Sequence, residues 1–166
     1  MEKLMGLLKV KVVRGVNLAK RDARGSDPYV VIRMGNQKVK TSVKKKDVNP
    51  EWNEELTLSV SDPTVPIKLA VYDKDTFSKD DRMGDADFNM WDIAEVVMME
   101  PHQLLALAGE AIKTVKPTRT NCLAEESHIK FTNGKVCQDI VLRLRNVERG
   151  EIELQLQWLN IGGAMI

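Results

Sequence analysis

The chain has 166 residues, of which 43% are hydrophobic and 30% are charged, and its net charge is +1. This length suits one domain with a single core, and the composition excludes a fibrous or a disordered protein. No run of 18 apolar residues occurs, so we expect any membrane contact to be peripheral. The two cysteines, Cys122 and Cys137, form no disulfide framework, which indicates a reducing cytosolic or nuclear setting.

Segments with the two-residue alternation of β-strands recur at the spacing of a β-sandwich. Eight strands are predicted, over residues 7–13, 29–34, 38–43, 55–60, 67–72, 85–88, 140–145 and 151–159. In the last segment Ile152, Leu154 and Trp158 share one face, while glutamate and glutamine occupy the other. This pattern predicts antiparallel sheets with one buried side. Trp52, which follows Pro50, is expected to pack beneath a turn.

The first predicted strand is followed by a loop over residues 17–29, in which Asp22 and Asp27 flank a Gly-Ser turn. An Asp-Pro pair such as Asp27-Pro28 is by itself only a turn signal. Taken alone, this first acidic loop indicates a turn.

A denser acidic loop spans residues 73–84, directly after the strand predicted over residues 67–72. Four carboxylates lie close together in it: Asp73, Asp75, Asp80 and Asp81. Like charges this close repel unless a cation neutralises them, and calcium, with about 6–8 oxygen ligands, suits such a loop. A solvated acidic turn is the plain alternative. An EF-hand is excluded, because Ser78 and Gly84 stand where that motif needs glycine and glutamate.

If the two acidic loops lie at one end of a sandwich, five carboxylates converge there: Asp22, Asp27, Asp73, Asp75 and Asp81. They supply oxygens from one side only, so water or a lipid phosphate must complete the coordination of a bound calcium ion. Phe77, at the apex of the second loop, adds one apolar side chain for membrane contact. We expect ion and anionic lipid to bind cooperatively.

Five lysines cluster around the third predicted strand: Lys38, Lys40, Lys44, Lys45 and Lys46. One interpretation is a patch for anionic lipid, where each lysine contributes about 1 kcal/mol near a charged surface. The other is protection of an edge strand against sheet-to-sheet pairing. Nucleic acid is not an expected partner, because the patch is small and the lysine run contains no stacking aromatic residue.

Residues from about 92 to 134 depart from a minimal sandwich. Residues 92–99 predict a helix that Pro101 ends, residues 103–108 predict another turn or two, and residues 111–116 predict a short strand. Val97, Met98 and Met99 cannot all face one core at helical spacing, so apolar surface should remain. The insertion is either a cap over a sandwich edge or, since long insertions are uncommon without a function, a partner surface.

Nothing in the sequence predicts catalysis. His102 and His128 have no neighbouring nucleophile motif, and Gly134-Lys135 lacks the spacing of a phosphate-binding loop. We therefore expect that the chain is not an enzyme.

Four segments together resemble the C2 domain, a calcium- and phospholipid-binding β-sandwich: residues 15–18 (GVNL), 26–30 (SDPYV), 49–54 (NPEWNE) and 71–84 (VYDKDTFSKDDRMG). By position in these motifs, the resemblance implies calcium ligation by the five aspartates named above. Because the first acidic loop follows the first strand, the resemblance also implies the permuted (type II) topology. The expected fold is an all-β, eight-stranded antiparallel C2 sandwich with an insertion at about 92–134.

The insertion, with residues 121–127 (NCLAEES) and 134–139 (GKVCQD), makes the whole chain, 1–166, similar to the plant C2-domain abscisic-acid-related family as a single C2 domain. This resemblance implies a Ca²⁺-dependent adaptor that binds anionic phospholipid membranes and transiently recruits abscisic acid receptors to the plasma membrane. It implies, as an alternative, an accessory protein that activates an Obg-like GTPase/ATPase. The implied locations are the cytoplasmic face of the plasma membrane, the cytosol and the nucleus. A calcium-independent interaction sandwich is a third hypothesis, against which the five intact aspartates argue.

Overall fold

The computed structural model describes residues 3–21 and 25–161 of the chain. Ten strands lie in these residues: β1 (Gly6–Val16), β2 (Pro28–Met34), β3 (Gln37–Lys40), β4 (Glu51–Val60), β5 (Ile67–Asp73), β6 (Asp81–Phe88), β7 (Ala111–Val115), β8 (Ser127–Thr132), β9 (Lys135–Arg143) and β10 (Glu151–Asn160). They form an antiparallel six-stranded sheet, in the order β4-β1-β10-β9-β8-β7, and an antiparallel four-stranded sheet, in the order β3-β2-β5-β6. The predicted all-β antiparallel sandwich is confirmed.

The alternation of apolar and polar residues explains why the strands pack in two layers. In β10, Leu154, Leu156 and Trp158 are buried, whereas the intervening glutamates and glutamines are more exposed. Strand β1 has the same pattern and lies between β4 and β10, so three long strands form one half of the larger sheet. The inward-facing apolar residues of both sheets meet in one core.

Within the described residues the sandwich has ten strands, so the prediction of eight was wrong in number. Strand β7 corresponds to the short strand predicted over residues 111–116, whereas β8 was not among the predicted strands; both extend the six-stranded sheet beyond β9 and lie within the predicted insertion. They are only 5 and 6 residues long. Strands this short carry a weak sequence pattern, because their stability comes from pairing with a neighbouring strand.

Strand β9 begins at Lys135, five residues before the predicted start at 140. The prediction began too late because a polar residue interrupts the apolar alternation of this strand. Gln138 is buried, and its Nε2 donates to Ser127 Oγ at 2.8 Å. The Ser127 hydroxyl in turn donates to the backbone oxygen of Asp139 at 2.6 Å. A buried polar pair of this kind is tolerated when its hydrogen bonds are satisfied, but it hides a strand from pattern analysis.

The helical part of the chain lies between β6 and β7 and consists of α1 (Trp91–Val97) and α2 (Pro101–Ala106). The helix predicted over residues 92–99 is present with slightly shifted ends. Pro101 lies in the first turn of α2, where its missing N–H costs no hydrogen bond, and Glu100 and Gln103 form a capping box. None of the helices in the described residues is long and apolar enough to cross a membrane.

The predicted packing of Trp52 is confirmed. Its side chain is buried, and its indole N–H donates to the backbone oxygen of Ser42 at 2.9 Å. This contact ties the start of β4 to the segment that follows β3 and so positions the loop between them next to the first acidic loop.

Candidate functional site

The two acidic loops lie at the same end of the four-stranded sheet. Strand β5 ends at Asp73 and β6 begins at Asp81, and these two residues are paired across the strands. Asp73 is also paired with Pro28 of β2. The register therefore brings Asp27, Asp73 and Asp81 to one edge, because each lies at or next to the end of a neighbouring strand.

Asp27 and Asp73 connect the loops directly. The backbone N–H of Asp27 donates to Asp73 Oδ1 at 2.8 Å, and the backbone N–H of Lys74 donates to the Asp27 carbonyl at 2.9 Å. The Asp73 side chain is buried, with an exposed fraction of 5%. A buried carboxylate is favourable only when hydrogen bonds or cations offset the loss of hydration, so Asp73 is the most constrained acid of this edge.

Asp75 shapes the tip of the second acidic loop. Its carboxylate accepts hydrogen bonds from the Ser78 hydroxyl at 2.8 Å and from the backbone N–H of Phe77 at 3.1 Å. These bonds favour the ionised form, so they lower the pKa of Asp75, with the Ser78 hydroxyl as the largest cause. The side chain of Phe77 then projects into solvent with an exposed fraction of 97%.

Asp80 lies behind the tip and faces β2. The Tyr29 hydroxyl donates to Asp80 Oδ2 at 2.5 Å, and the backbone N–H of Asp75 donates to Asp80 Oδ1 at 2.8 Å. The bond from Tyr29 is the largest cause of a lowered pKa at Asp80. Burial, followed by the hydrogen bond to Asp80, raises the pKa of Tyr29 to about 12. Neither side chain of this pair has a role that was predicted from the sequence.

Asp22, the remaining predicted ligand, lies outside the described residues. The described residues of its loop, before and after it, are fixed by hydrogen bonds and an ion pair. Ser26 is buried, accepts a hydrogen bond from the backbone N–H of Arg21 at 2.9 Å and donates to the Ala19 carbonyl at 3.0 Å. Arg21 also forms an ion pair with Glu148 at 3.1 Å.

The residues present fit a calcium ion in donor chemistry. All candidate ligands are carboxylates, and a carboxylate that accepts one hydrogen bond retains lone pairs for a cation. Over residues 3–21 and 25–161, no group of three or more His, Cys, Asp or Glu side chains is arranged as a metal site. The ligand set of Asp22, Asp27, Asp73, Asp75 and Asp81 therefore stays a prediction.

The lysine cluster is divided into two parts, because β3 ends at Lys40 and not at the predicted residue 43. Lys38 and Lys40 are exposed on this edge strand. Lys44–Lys46 instead belong to a turn against the first acidic loop, where the backbone N–H of Lys46 donates to Asp27 Oδ1 at 2.8 Å. The lysine run and the acidic loop are therefore neighbours.

The outer face of the four-stranded sheet carries two cations that the sequence analysis missed, Arg33 and Lys68. Arg33 is paired with Lys38 on one side and with Lys68 on the other, so the three form a row across β3, β2 and β5. Arg33 and Lys68 also line a groove of about 750 Å³. Their alternation with buried residues in β2 and β5 places both on the outer face, a signal that was available in the sequence.

Comparison with known proteins gives one matching family model, the C2 domain, over residues 6–104. The chain is 56% identical to Protein C2-DOMAIN ABA-RELATED 5 of Arabidopsis thaliana, over 98% of this chain and 80% of that protein. It is 60% identical to GTPase activating protein 1 of Oryza sativa subsp. indica, over 97% of this chain and 96% of that protein.

Among solved structures, the chain is similar to the calcium-bound tandem C2 domains of Extended-Synaptotagmin 2, with a TM-score of 0.66 and 21% identity. The match covers 96% of this chain and 48% of that one, so the chain spans about half of the two-domain structure. At this identity the likeness establishes the fold alone.

Proposed function

Because this chain belongs to the C2-domain ABA-related family of C2 domain proteins, we propose that it is a calcium-dependent phospholipid-binding adaptor. In this role it recruits abscisic acid receptors transiently to the plasma membrane. The observation that carries the proposal is the junction of the two acidic loops, in which the Asp27 N–H donates to Asp73 Oδ1 at 2.8 Å, together with the exposed Phe77 at the tip of the second loop.

Five residues would hold calcium: Asp22, Asp27, Asp73, Asp75 and Asp81. Bound calcium supplies positive charge and open coordination positions that a lipid phosphate can fill. Other residues of the chain contact the membrane directly. Phe77 places one aromatic ring at the apex, where it can enter the headgroup region, and the Lys44–Lys46 turn brings cations next to the acidic loop.

Lys38, Lys40, Arg33 and Lys68 extend the cationic surface along the four-stranded sheet. Arg33 and Lys68 lie toward the opposite end of β2 and β5 from the Pro28–Asp73 pair, so this face offers anionic headgroups a second contact area apart from the loop tips. Since one aromatic side chain gives only marginal membrane affinity, we propose that charge supplies most of the attraction and that binding weakens with salt. Edge protection by Lys38 and Lys40 is compatible with this role.

Vesicle co-sedimentation tests the membrane step. Wild-type protein should bind vesicles that contain phosphatidylserine only with calcium, and should not bind phosphatidylcholine vesicles in either condition. Asp75→Asn and Asp81→Asn should remove the calcium dependence, and Lys38→Ala with Lys40→Ala and Lys45→Ala should weaken binding by roughly tenfold or more. Binding that is equally strong with a chelator, or unchanged in the two aspartate variants, would reject the proposal.

We propose that the helical segment carries the protein partner, because it leaves large apolar side chains in solvent. The exposed fraction is 43% for Trp91, 63% for Met98 and 66% for Leu105. Met98→Glu and Leu105→Glu should reduce binding to a purified abscisic acid receptor by about tenfold. They should change vesicle binding by less than twofold, since they lie outside the acidic loops.

His102→Glu is the matched control, because it adds the same charge at an exposed position of α2 without removing an apolar contact. Loss of vesicle binding with intact receptor binding in the two apolar-to-glutamate variants would assign this segment to the membrane face instead.

A second candidate function is activation of an Obg-like GTPase/ATPase, which the rice relative named GTPase activating protein 1 favours. We propose that the chain itself has no catalytic activity and acts on the partner's hydrolysis. The test is nucleotide hydrolysis by the Obg-like enzyme with and without this protein, with this protein alone as the control.

We further propose a peripheral location at the cytoplasmic face of the plasma membrane, with pools in the cytosol and nucleus.

A further inference from the structure

We infer that Tyr29 and Asp80 are positioning residues that hold the second acidic loop in the shape needed for cation binding, and that Asp80 is not itself a ligand. This inference rests on the proposed function for the identity of the cation. It assigns a role to the one acid of that loop that the predicted ligand set leaves out.

Tyr29 offers a fixed anchor point. It lies in β2, is paired with Tyr72 of β5, and stacks on that ring with centroids 5.6 Å apart and planes at 21°. The guanidinium of Arg82, on β6, lies 5.7 Å from the centroid of the Tyr72 ring. Three adjacent strands therefore determine where the Tyr29 hydroxyl points.

Asp80 links the Tyr29 hydroxyl to the second acidic loop. One carboxylate oxygen accepts from the Tyr29 hydroxyl at 2.5 Å, and the other accepts from the backbone N–H of Asp75 at 2.8 Å. The carboxylate thus bridges β2 and the chain at Asp75. Of the described residues 74–80, Asp80 alone has a side chain that forms a hydrogen bond with β2.

The Tyr29–Asp80 contact affects the site through the predicted ligand Asp75. Its backbone is held by Asp80, while its own carboxylate accepts from Phe77 and Ser78. The orientation of this predicted ligand therefore depends on the bridge behind it. The Asp80 carboxylate accepts from a phenol on β2, whereas both hydrogen bonds to the Asp75 carboxylate come from the loop tip itself, from Phe77 and Ser78. Asp81 differs again, because it is exposed at the start of β6.

Replacing Asp80 by asparagine or by alanine distinguishes a positioning role from direct ligation of calcium. Asparagine can still accept from the Asp75 N–H through Oδ1 and can donate from Nδ2 to the Tyr29 oxygen, whereas alanine can do neither. Both substitutions remove the same negative charge. A difference between them therefore reports the hydrogen-bonded bridge, and equal losses would report the charge or direct ligation.

The first measurement is calcium affinity by titration calorimetry. Asp80→Asn should weaken calcium binding by about fivefold or less, as expected for one distant charge. Asp80→Ala should be about tenfold weaker than Asp80→Asn, and Tyr29→Phe should lose about tenfold from wild type. Asp81→Asn is the comparison for loss of a ligand. If Asp80→Asn binds as weakly as Asp80→Ala and Asp81→Asn, Asp80 is a ligand and the inference is wrong.

The second measurement needs no calcium. Amide hydrogen exchange at Asp75 should be faster by about tenfold in calcium-free Tyr29→Phe than in calcium-free wild type, because the acceptor of that N–H is no longer held. Tyr72→Phe is the matched control. It removes a hydroxyl with no hydrogen bond in the described residues and keeps the ring, so exchange should stay within about twofold of wild type.

Unchanged exchange in Tyr29→Phe would overturn the inference whatever the calorimetry gives. If wild-type protein binds no calcium, the proposed function fails, and the exchange result still decides whether Tyr29 holds the loop. The two failures are therefore distinguishable.

Discussion

Tyr29 shows, at the scale of one residue, how a side chain of the sheet is adapted to an acidic neighbour. Its hydroxyl is partly buried, stacked against Tyr72 and bonded to a carboxylate at 2.5 Å. Burial disfavours the charged phenolate first of all, and ionisation would also place two negative charges in contact and lose the donated proton, so the neutral form is favoured. This explains the raised pKa of about 12.

The raised pKa gives a prediction for high pH. The folded protein holds the phenolic proton more tightly than the unfolded chain, whose value is 10.0. The stabilisation is therefore complete below about pH 10 and is lost as the pH rises toward 12, by up to about 2 kcal/mol. Ultraviolet titration of the two tyrosines should reveal a phenol that ionises near pH 12. If Tyr29→Phe retains that late ionisation, the assignment to Tyr29 is wrong.

Among the elements, α1 has a defined attachment to the sandwich. Ile93, Ala94 and Val96 are buried, which gives the helix one apolar face. On its flank, Lys113 of β7 forms ion pairs with Asp92 at 2.5 Å and with Glu95 at 3.1 Å. The hydrogen bond to Asp92 is the largest cause of a raised pKa at Lys113. A short helix and a short edge strand therefore stabilise each other.

Replacing this lysine should loosen both elements. Lys113→Met should lower the free energy of unfolding by about 1 kcal/mol, and a double-mutant cycle with Glu95→Gln should give a coupling of about 0.5 kcal/mol. Lys116→Met, an exposed lysine just beyond β7, is the control and should change stability by less than about 0.5 kcal/mol. Urea denaturation measures all of these variants, and equal effects of the two lysine substitutions would argue against the ion pairs.

At the scale of the whole molecule, acidic and basic residues are concentrated in separate regions, although the net charge is only +1. The acidic loops and the Lys44–Lys46 turn share one end, while the row from Lys38 through Arg33 to Lys68 crosses the adjoining sheet face. The Arg33–Lys68 pair lies toward the opposite end of β2 and β5 from the Pro28–Asp73 pair, so a cation bound to the acids would leave two separate positive areas on this side of the molecule. The geometry suits contact with an extended anionic surface.

Calcium should raise the stability of the entire fold, because it binds the assembled loops and not the unfolded chain. A hundredfold excess over the dissociation constant should add about 3 kcal/mol and raise the melting temperature by roughly 6–12 °C. Asp22→Asn with Asp27→Asn should abolish the rise and leave the chain folded without calcium. Magnesium at the same concentration is the control ion. A full calcium shift in the double variant would locate the ion elsewhere.

The sequence by itself determined the features that depend on local order. Alternation in segments such as β1, β2 and β10 identified the long strands, since every second side chain meets the core. The positions of Asp27 and Asp73 next to strand ends were also predictable, because the two residues flank the strands predicted over residues 29–34 and 67–72. Asp81 was not, since the next strand was predicted to begin at residue 85 and the structure begins it at Asp81. The C2 fold was implied by the resemblance of residues 15–18, 26–30, 49–54 and 71–84 to that family.

Only the tertiary structure decided the features that depend on partners distant in the chain. Tyr29 meets Asp80, Lys46 meets Asp27, and Gln138 is buried with Ser127 through contacts that no periodicity encodes. The same holds for β8, whose few residues become a strand only through pairing with β7 and β9. A side-chain hydrogen bond depends on positions within a fraction of an ångström, and those positions exist only once both sheets have packed.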